Sequence, residues 1–75
     1  MERISSYERY SAVRDRKGFT DYRVAKESGV AQSTLSNWKH MKIEPKLSTY
    51  QKIADVLGCP VEELLGLRPK YGYED

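Results

Sequence analysis

Cysteine and histidine each occur only once in this 75-residue chain, and this scarcity excludes several kinds of site. Cys59 has no second cysteine with which to form an internal disulfide framework. Cys59 and His40 together are too few for a Cys/His zinc cluster. We therefore expect a fold that depends on packing alone or on oligomerisation, with no metal and no other cofactor.

Long hydrophobic runs are also missing. No stretch approaches the roughly 18 apolar residues that a membrane-spanning helix needs, and residues 1–10 lack the apolar core of a secretory signal. We therefore expect a cytoplasmic protein with no membrane partner. The chain contains no P-loop and no glycine-rich dinucleotide turn, and its one histidine allows no Ser/His/Asp set, so we expect no enzymatic activity.

Charge is nearly balanced overall but unevenly distributed. The net charge is +2, from 13 basic and 11 acidic residues. Four lysines and a single glutamate lie between residues 33 and 52, whereas four acids and two bases lie between residues 56 and 75. A basic middle of this kind favours a polyanionic partner on one side of the molecule.

Apolar residues recur at intervals of three and four along the chain, which predicts helices and no strands. Glycines and prolines divide the pattern into five helices: about 5–17, from Thr20 to a stop at Gly29, from about Gln32, 47–57 and 61–65. The apolar stripe of the fourth helix comprises Leu47, Tyr50, Ile53, Ala54 and Leu57. We therefore predict an all-α domain over residues 1–66 and a tail over 67–75 that is a candidate dimer contact.

A three-residue turn containing Gly29 joins the second and third predicted helices, which is typical of a helix-turn-helix. Leu35 and Trp38 are predicted to face the core, since they lie three residues apart on one side of the third helix. The opposite side carries amides and hydroxyls and no acid. Such side chains can form hydrogen bonds with base edges in the DNA major groove. The alternative interpretation is an ordinary solvent-exposed helix face that binds nothing.

These features resemble the lambda-repressor-like (Cro/C1, or XRE-type) helix-turn-helix proteins. The resemblance extends from about Tyr10 to Leu65 and implies a compact five-helix domain with its helix-turn-helix at helices 2 and 3. It implies a sequence-specific, double-stranded DNA-binding transcriptional regulator of repressor type that acts as a homodimer. The matching residues are Tyr10, Val13-Arg14, Gly18-Phe19-Thr20, Val24-Ala25, Gly29-Val30, Gln32 to Trp38, Pro45, Ile53-Ala54, Leu57-Gly58 and Val61 to Leu65.

The resemblance also implies site residues. It places base reading at Gln32, Ser33 and Asn37, with Thr34 and Ser36 flanking them. It places phosphate contacts at Thr20, Arg23, Lys39, His40 and Lys42. Asp21 is not expected to contact DNA, because its charge would repel phosphate. The dimer is expected to form near Val61, Leu64, Leu67 and Tyr71.

The sequence departs from the family pattern at three positions. Ala31 stands where a capping serine or threonine is common, so the third helix is expected to begin without a side-chain cap. Lys39 stands where many members have glutamate. Met41 stands where many have glycine, so it must either adopt a left-handed conformation or end the helix differently.

Two side chains, Arg14 and Cys59, are expected to stabilise the fold rather than to contact DNA. Arg14 is predicted to form an internal ion pair or a hydrogen bond to the backbone, and Cys59 to be a small buried hydrophobic residue. The alternative function is that of an antitoxin-like interaction module whose essential partner is another protein. A toxin gene beside this one would favour that alternative.

Overall fold

A computed structural model describes residues 5–66 of the chain, and this part is built from helices without strands. The all-α prediction and the predicted order of elements are confirmed. The two predictions for the tail, its boundary at residues 67–75 and its role in a dimer, lie outside the described residues. The helices are α1 (Ser6–Arg16), α2 (Asp21–Ser28), α3 (Gln32–Lys39), α4 (Leu47–Leu57) and α5 (Val61–Leu65).

Local side-chain chemistry explains where the first two helices begin. The Ser5 hydroxyl accepts a hydrogen bond from the backbone N–H of Glu8, and the Glu8 carboxylate accepts one from the N–H of Ser5. The Thr20 hydroxyl accepts the N–H of Arg23 at 3.1 Å and so caps α2. Ala31 precedes α3 as its N-cap residue and provides no side-chain cap, as the sequence predicts.

Two left-handed residues shape the helix-turn-helix and the loop that follows it. Gly29 has φ 81° and ends α2, which turns the chain towards α3. Met41 has φ 63°, so the left-handed alternative left open by the sequence is the one observed. The N–H of Met41 donates to the carbonyl of Trp38, and that of Lys42 to the carbonyl of Asn37. These two bonds form a Schellman-type end to α3.

The core is centred on Trp38 of α3, which is 1% exposed. Its ring stacks on Tyr10 with centroids 4.9 Å apart and meets Tyr7 and Tyr50 edge-on at 5.5 and 5.4 Å. Such pairs contribute about 0.5–1.5 kcal/mol beyond the area they bury. Trp38 is therefore a core residue, as predicted, and it packs the third helix against α1 and α4.

The structure corrects three expectations about apolar residues. Leu47 is 55% exposed rather than part of the buried stripe of α4, because it is the first residue of that helix and precedes the segment that packs. Cys59 is half-buried at the edge of the core, not fully buried. Leu64 is fully buried within its own domain, so its side chain is not free to make the predicted dimer contact.

Candidate nucleic-acid interface

The outward surface of α3 is polar and free of acids. Gln32, Ser33, Ser36 and Asn37 are all exposed, and successive 100° steps of the helix place them on one side. Thr34, between Ser33 and Leu35, is half-buried at the margin of this face. The polar face, as we call Gln32, Ser33, Ser36 and Asn37, thus presents only amides and hydroxyls to solvent.

The opposite side of α3 is anchored in the core by Leu35 and Trp38, each 1% exposed. The Trp38 indole N–H donates to the Ser6 Oγ at 2.8 Å, and the Ser6 hydroxyl donates to a Glu44 carboxylate oxygen at 2.8 Å. The Tyr50 hydroxyl donates to the other oxygen of Glu44. The polar face is therefore held on a rigid helix, and the loop that follows is tied to α1 and α4.

The start of α2 is fixed by a second network around Asp21. One carboxylate oxygen accepts the Tyr7 hydroxyl at 2.6 Å, and the other accepts the Tyr10 hydroxyl at 2.6 Å. Arg14 donates to the same oxygen as Tyr10 at 2.8 Å and also pairs with Asp15. The prediction of an internal ion pair for Arg14 is confirmed. The Asp21 carboxylate is thus directed into the domain and neutralised by Arg14.

The pKa values of this network follow from its geometry. Burial alone would raise the pKa of Asp21, but the hydrogen bonds from Tyr10, Tyr7 and Arg14 outweigh it and lower that pKa below 3.8. Burial, together with the hydrogen bond to Asp21, raises the pKa of Tyr10 and of Tyr7. Burial and the Glu44 carboxylate raise the pKa of Tyr50 to about 12. At neutral pH the Asp21 carboxylate is therefore ionised, and the phenols of Tyr7, Tyr10 and Tyr50 keep their protons.

Thr20 and Arg23, the predicted phosphate contacts on α2, are exposed but already have partners. The Thr20 hydroxyl is the cap of α2. The Arg23 guanidinium lies 4.2 Å from the centroid of the Phe19 ring, and its Nε donates to Glu27 at 2.8 Å. An exposed pair of this kind contributes little to stability and can exchange for another anion.

Lys39, His40 and Lys42, the predicted phosphate contacts after the polar face, are all exposed. Among the described residues neither lysine forms an ion pair. The Nδ1 of His40 lies 2.9 Å from the carbonyl oxygen of Ser36, so one ring nitrogen is engaged at the end of α3. Three basic side chains thus follow the polar face directly.

A surface groove of about 380 Å³ brings two of the predicted phosphate contacts together. Thr20 from the start of α2 and Lys39 from the end of α3 both line it, together with Arg14, Asp15 and Asp21. Sequence spacing alone gave no reason to place these two positions side by side. No group of residues that could hold a metal ion occurs within residues 5–66.

The residues that hold α2 and α3 in place are less evident in the sequence than the polar face. The sequence did not predict that Ser6 meets Glu44, because a hydrogen bond across 38 residues leaves no local pattern. Tyr7, Tyr10 and Arg14 do carry a signal, since spacings of three and four place them on one face of α1. That spacing does not reveal that Asp21 is their shared partner.

Comparison with known proteins agrees with this geometry. The model of the Helix-turn-helix family matches residues 11–64. The chain is 32% identical over 62 residues to the HTH-type transcriptional regulator PuuR of Escherichia coli (strain K12), and equally to PuuR of Shigella flexneri. Each alignment covers 83% of this chain and 34% of the relative, so the chain spans about a third of the length of these relatives.

Within residues 5–66, no helix is long and apolar enough to cross a membrane. The matched family is one of DNA-binding regulators and not of enzymes, which confirms the prediction that the chain is no enzyme. The family match, the similarity to PuuR and the five-helix fold lead to one conclusion. The chain belongs to the Cro/C1-type helix-turn-helix family.

Proposed function

We propose that the chain is a sequence-specific, double-stranded DNA-binding transcriptional regulator of repressor type that reads the major groove with α3. One observation carries the proposal: an acid-free polar face lies on a helix whose other side is locked into the core by Leu35 and Trp38. Amides and hydroxyls held in this way match the hydrogen-bonding edges of bases. A regulator of this kind acts on cellular DNA, which agrees with the cytoplasmic location expected from the sequence.

The proposed interface divides into two parts with different tasks. Gln32, Ser33 and Asn37 are proposed to read bases, with Thr34 and Ser36 flanking them. Thr20, Arg23, Lys39, His40 and Lys42 are proposed to contact phosphates, which position the domain without reading sequence. The groove shared by Thr20 and Lys39 supports this division, because it brings proposed phosphate contacts from α2 and α3 to one place.

Selection of bound sequences from a random DNA pool is the direct test. We expect a two-fold symmetric consensus to be enriched, with an affinity that falls steeply as salt rises. Three to five phosphate contacts per subunit correspond to a slope of log K against log salt of roughly −5 to −9 for a dimer. Failure to enrich any sequence, together with a flat salt response, would refute the function.

We further propose that the chain binds its operator as a homodimer, because one module contacts only a few base pairs. Half-sites are then expected about one helical turn, ~34 Å, apart. Leu64 takes no part, since it is fully buried in its own domain. Val61 is partly exposed on α5 and remains a candidate contact, whereas Leu67 and Tyr71 lie outside the described residues. Sedimentation at saturation should give two chains per operator.

The antitoxin-like alternative differs from this proposal in its essential partner. Both relatives are named as transcriptional regulators, which favours DNA as the ligand. A neighbouring toxin gene whose product binds this chain tightly would favour the alternative.

A further inference from the structure

The exposed hydrophobic residues of this domain are concentrated just after α3. Four large hydrophobic side chains are markedly exposed within residues 5–66, and three of them fall within seven consecutive positions. Met41 is 73% exposed, Ile43 40% and Leu47 55%. We call Met41, Ile43 and Leu47 the apolar loop. Met41 and Ile43 also border the same surface groove, of about 470 Å³.

Met41 occupies a costly backbone conformation without a gain in packing. Its φ of 63° is a region that L-residues other than asparagine and aspartate seldom adopt, and a glycine would adopt it freely. The two Schellman-type hydrogen bonds hold it there, while its side chain lies in solvent. Strain of this kind tends to persist at functional positions, which directs attention to what the side chain contacts.

The charges around the apolar loop indicate the kind of partner. Lys42 lies between Met41 and Ile43, and Lys46 precedes Leu47; both lysines are exposed. Glu44, the one acid in this stretch, has both carboxylate oxygens engaged by the hydroxyls of Ser6 and Tyr50. The partner that fits this surface is a polyanion that also offers apolar carbon. The deoxyribose-phosphate backbone has both properties.

We propose that Met41, assisted by Ile43, makes an apolar contact with deoxyribose of the DNA backbone at the edge of each half-site. This inference rests on the proposed function and adds a non-ionic contact to the basic ones. With the polar face in the DNA major groove, as proposed, the apolar loop would follow the last turn of α3 to the margin of that groove, where the sugars lie. Such a contact adds affinity for any DNA sequence and releases no counterions.

Met41→Gly tests the proposal, because stability and binding are expected to change in opposite directions. Removing the side chain relieves the left-handed strain, so the Tm should rise by about 2–6 °C. Loss of the apolar contact should weaken binding about three- to tenfold, equally on the selected site and on random DNA. The slope of log K against log salt should stay at the wild-type value, since no charge is removed.

Three variants serve as controls. Met41→Leu keeps an apolar side chain of similar size and should bind within twofold of wild type. Met41→Asn tolerates the left-handed conformation without the freedom of glycine and should weaken binding as Met41→Gly does. This result would show that the weaker binding of Met41→Gly is not caused by greater mobility of the loop. Lys42→Ala should lower the salt slope by about one unit, which separates an ionic contact from the apolar one.

The outcomes are distinguishable from failure of the proposed function. A wild-type chain that binds no DNA removes both the function and the contact. If the wild-type chain binds DNA and Met41→Gly has unchanged affinity, the apolar contact alone is overturned. If Met41→Gly loses affinity for the selected site only, Met41 contacts a base and not the backbone, and the proposal is also overturned.

Discussion

The indole N–H of Trp38 donates a 2.8 Å hydrogen bond to the hydroxyl oxygen of Ser6, the first residue of α1. The bond spans 32 positions of the sequence. Because the same Ser6 hydroxyl donates to Glu44, the end of α3 and the loop after it are oriented together by α1. The polar face and the basic residues that follow it therefore keep a fixed relative geometry.

Ser6→Ala is expected to destabilise the domain by about 1–3 kcal/mol, because it leaves the buried indole N–H of Trp38 without an acceptor. Urea denaturation followed by tryptophan fluorescence measures this loss directly. Ser48→Ala is the matched control, since Ser48 is exposed and appears in none of the side-chain hydrogen bonds of residues 5–66. It should change stability by less than about 0.5 kcal/mol. Equal effects of the two substitutions would contradict a role for the Ser6 hydrogen bond.

The Asp21 network should make stability depend on acid pH. The pKa of Asp21 is lower in the folded domain than the ordinary 3.8. Its stabilisation is therefore complete above that value and is lost as the pH falls through the folded pKa. Urea midpoints between pH 2 and pH 7 should fall for wild type below about pH 4. Asp21→Asn should be less stable than wild type at pH 7, and its urea midpoint should fall less than that of wild type on acidification. A parallel pH profile in the variant would rule out Asp21 as the group responsible.

The polar face should separate sequence reading from charge. Gln32→Ala or Asn37→Ala should cost about 1–3 kcal/mol on the selected site and almost nothing on random DNA. Lys42→Ala should weaken binding to the selected site and to random DNA by the same factor. Fluorescence anisotropy on the two DNAs, over a range of salt concentrations, measures these differences. Circular dichroism should show that all three variants remain folded, since the three positions are exposed.

The ratio of specific to random affinity decides this assignment. If Gln32→Ala keeps the wild-type ratio while Lys42→Ala changes it, the reading surface has been assigned to the wrong residues.

Alanine substitutions of Leu35 and Leu47 distinguish a core leucine from an exposed one. Leu35 is 1% exposed, and Leu35→Ala should cost roughly 2–5 kcal/mol, which is enough to unfold so small a domain at moderate temperature. Leu47 is 55% exposed, and Leu47→Ala should cost well under 1 kcal/mol. Thermal unfolding of the two variants measures both. A large loss of stability for Leu47→Ala would mean that its side chain is covered in solution, for example by a second copy.

The sequence by itself determined the five helices, the turn at Gly29 and the inward positions of Leu35 and Trp38. These follow from local physics: periodicity near 3.6, a cap at Thr20, and glycine at a left-handed residue. The polar face follows from the same periodicity, because the side of a helix opposite its buried residues is fixed once those residues are known.

Only the tertiary structure decided which distant side chains meet. The pairing of Asp21 with Tyr7, Tyr10 and Arg14, and the meeting of Thr20 with Lys39 in one groove, depend on how the helices cross. Met41 is intermediate, since the sequence limited it to two conformations and the packing of the loop selected one. Local propensity acts over one helical turn, whereas these contacts join residues brought together by burying apolar surface, which does not depend on their separation in the chain.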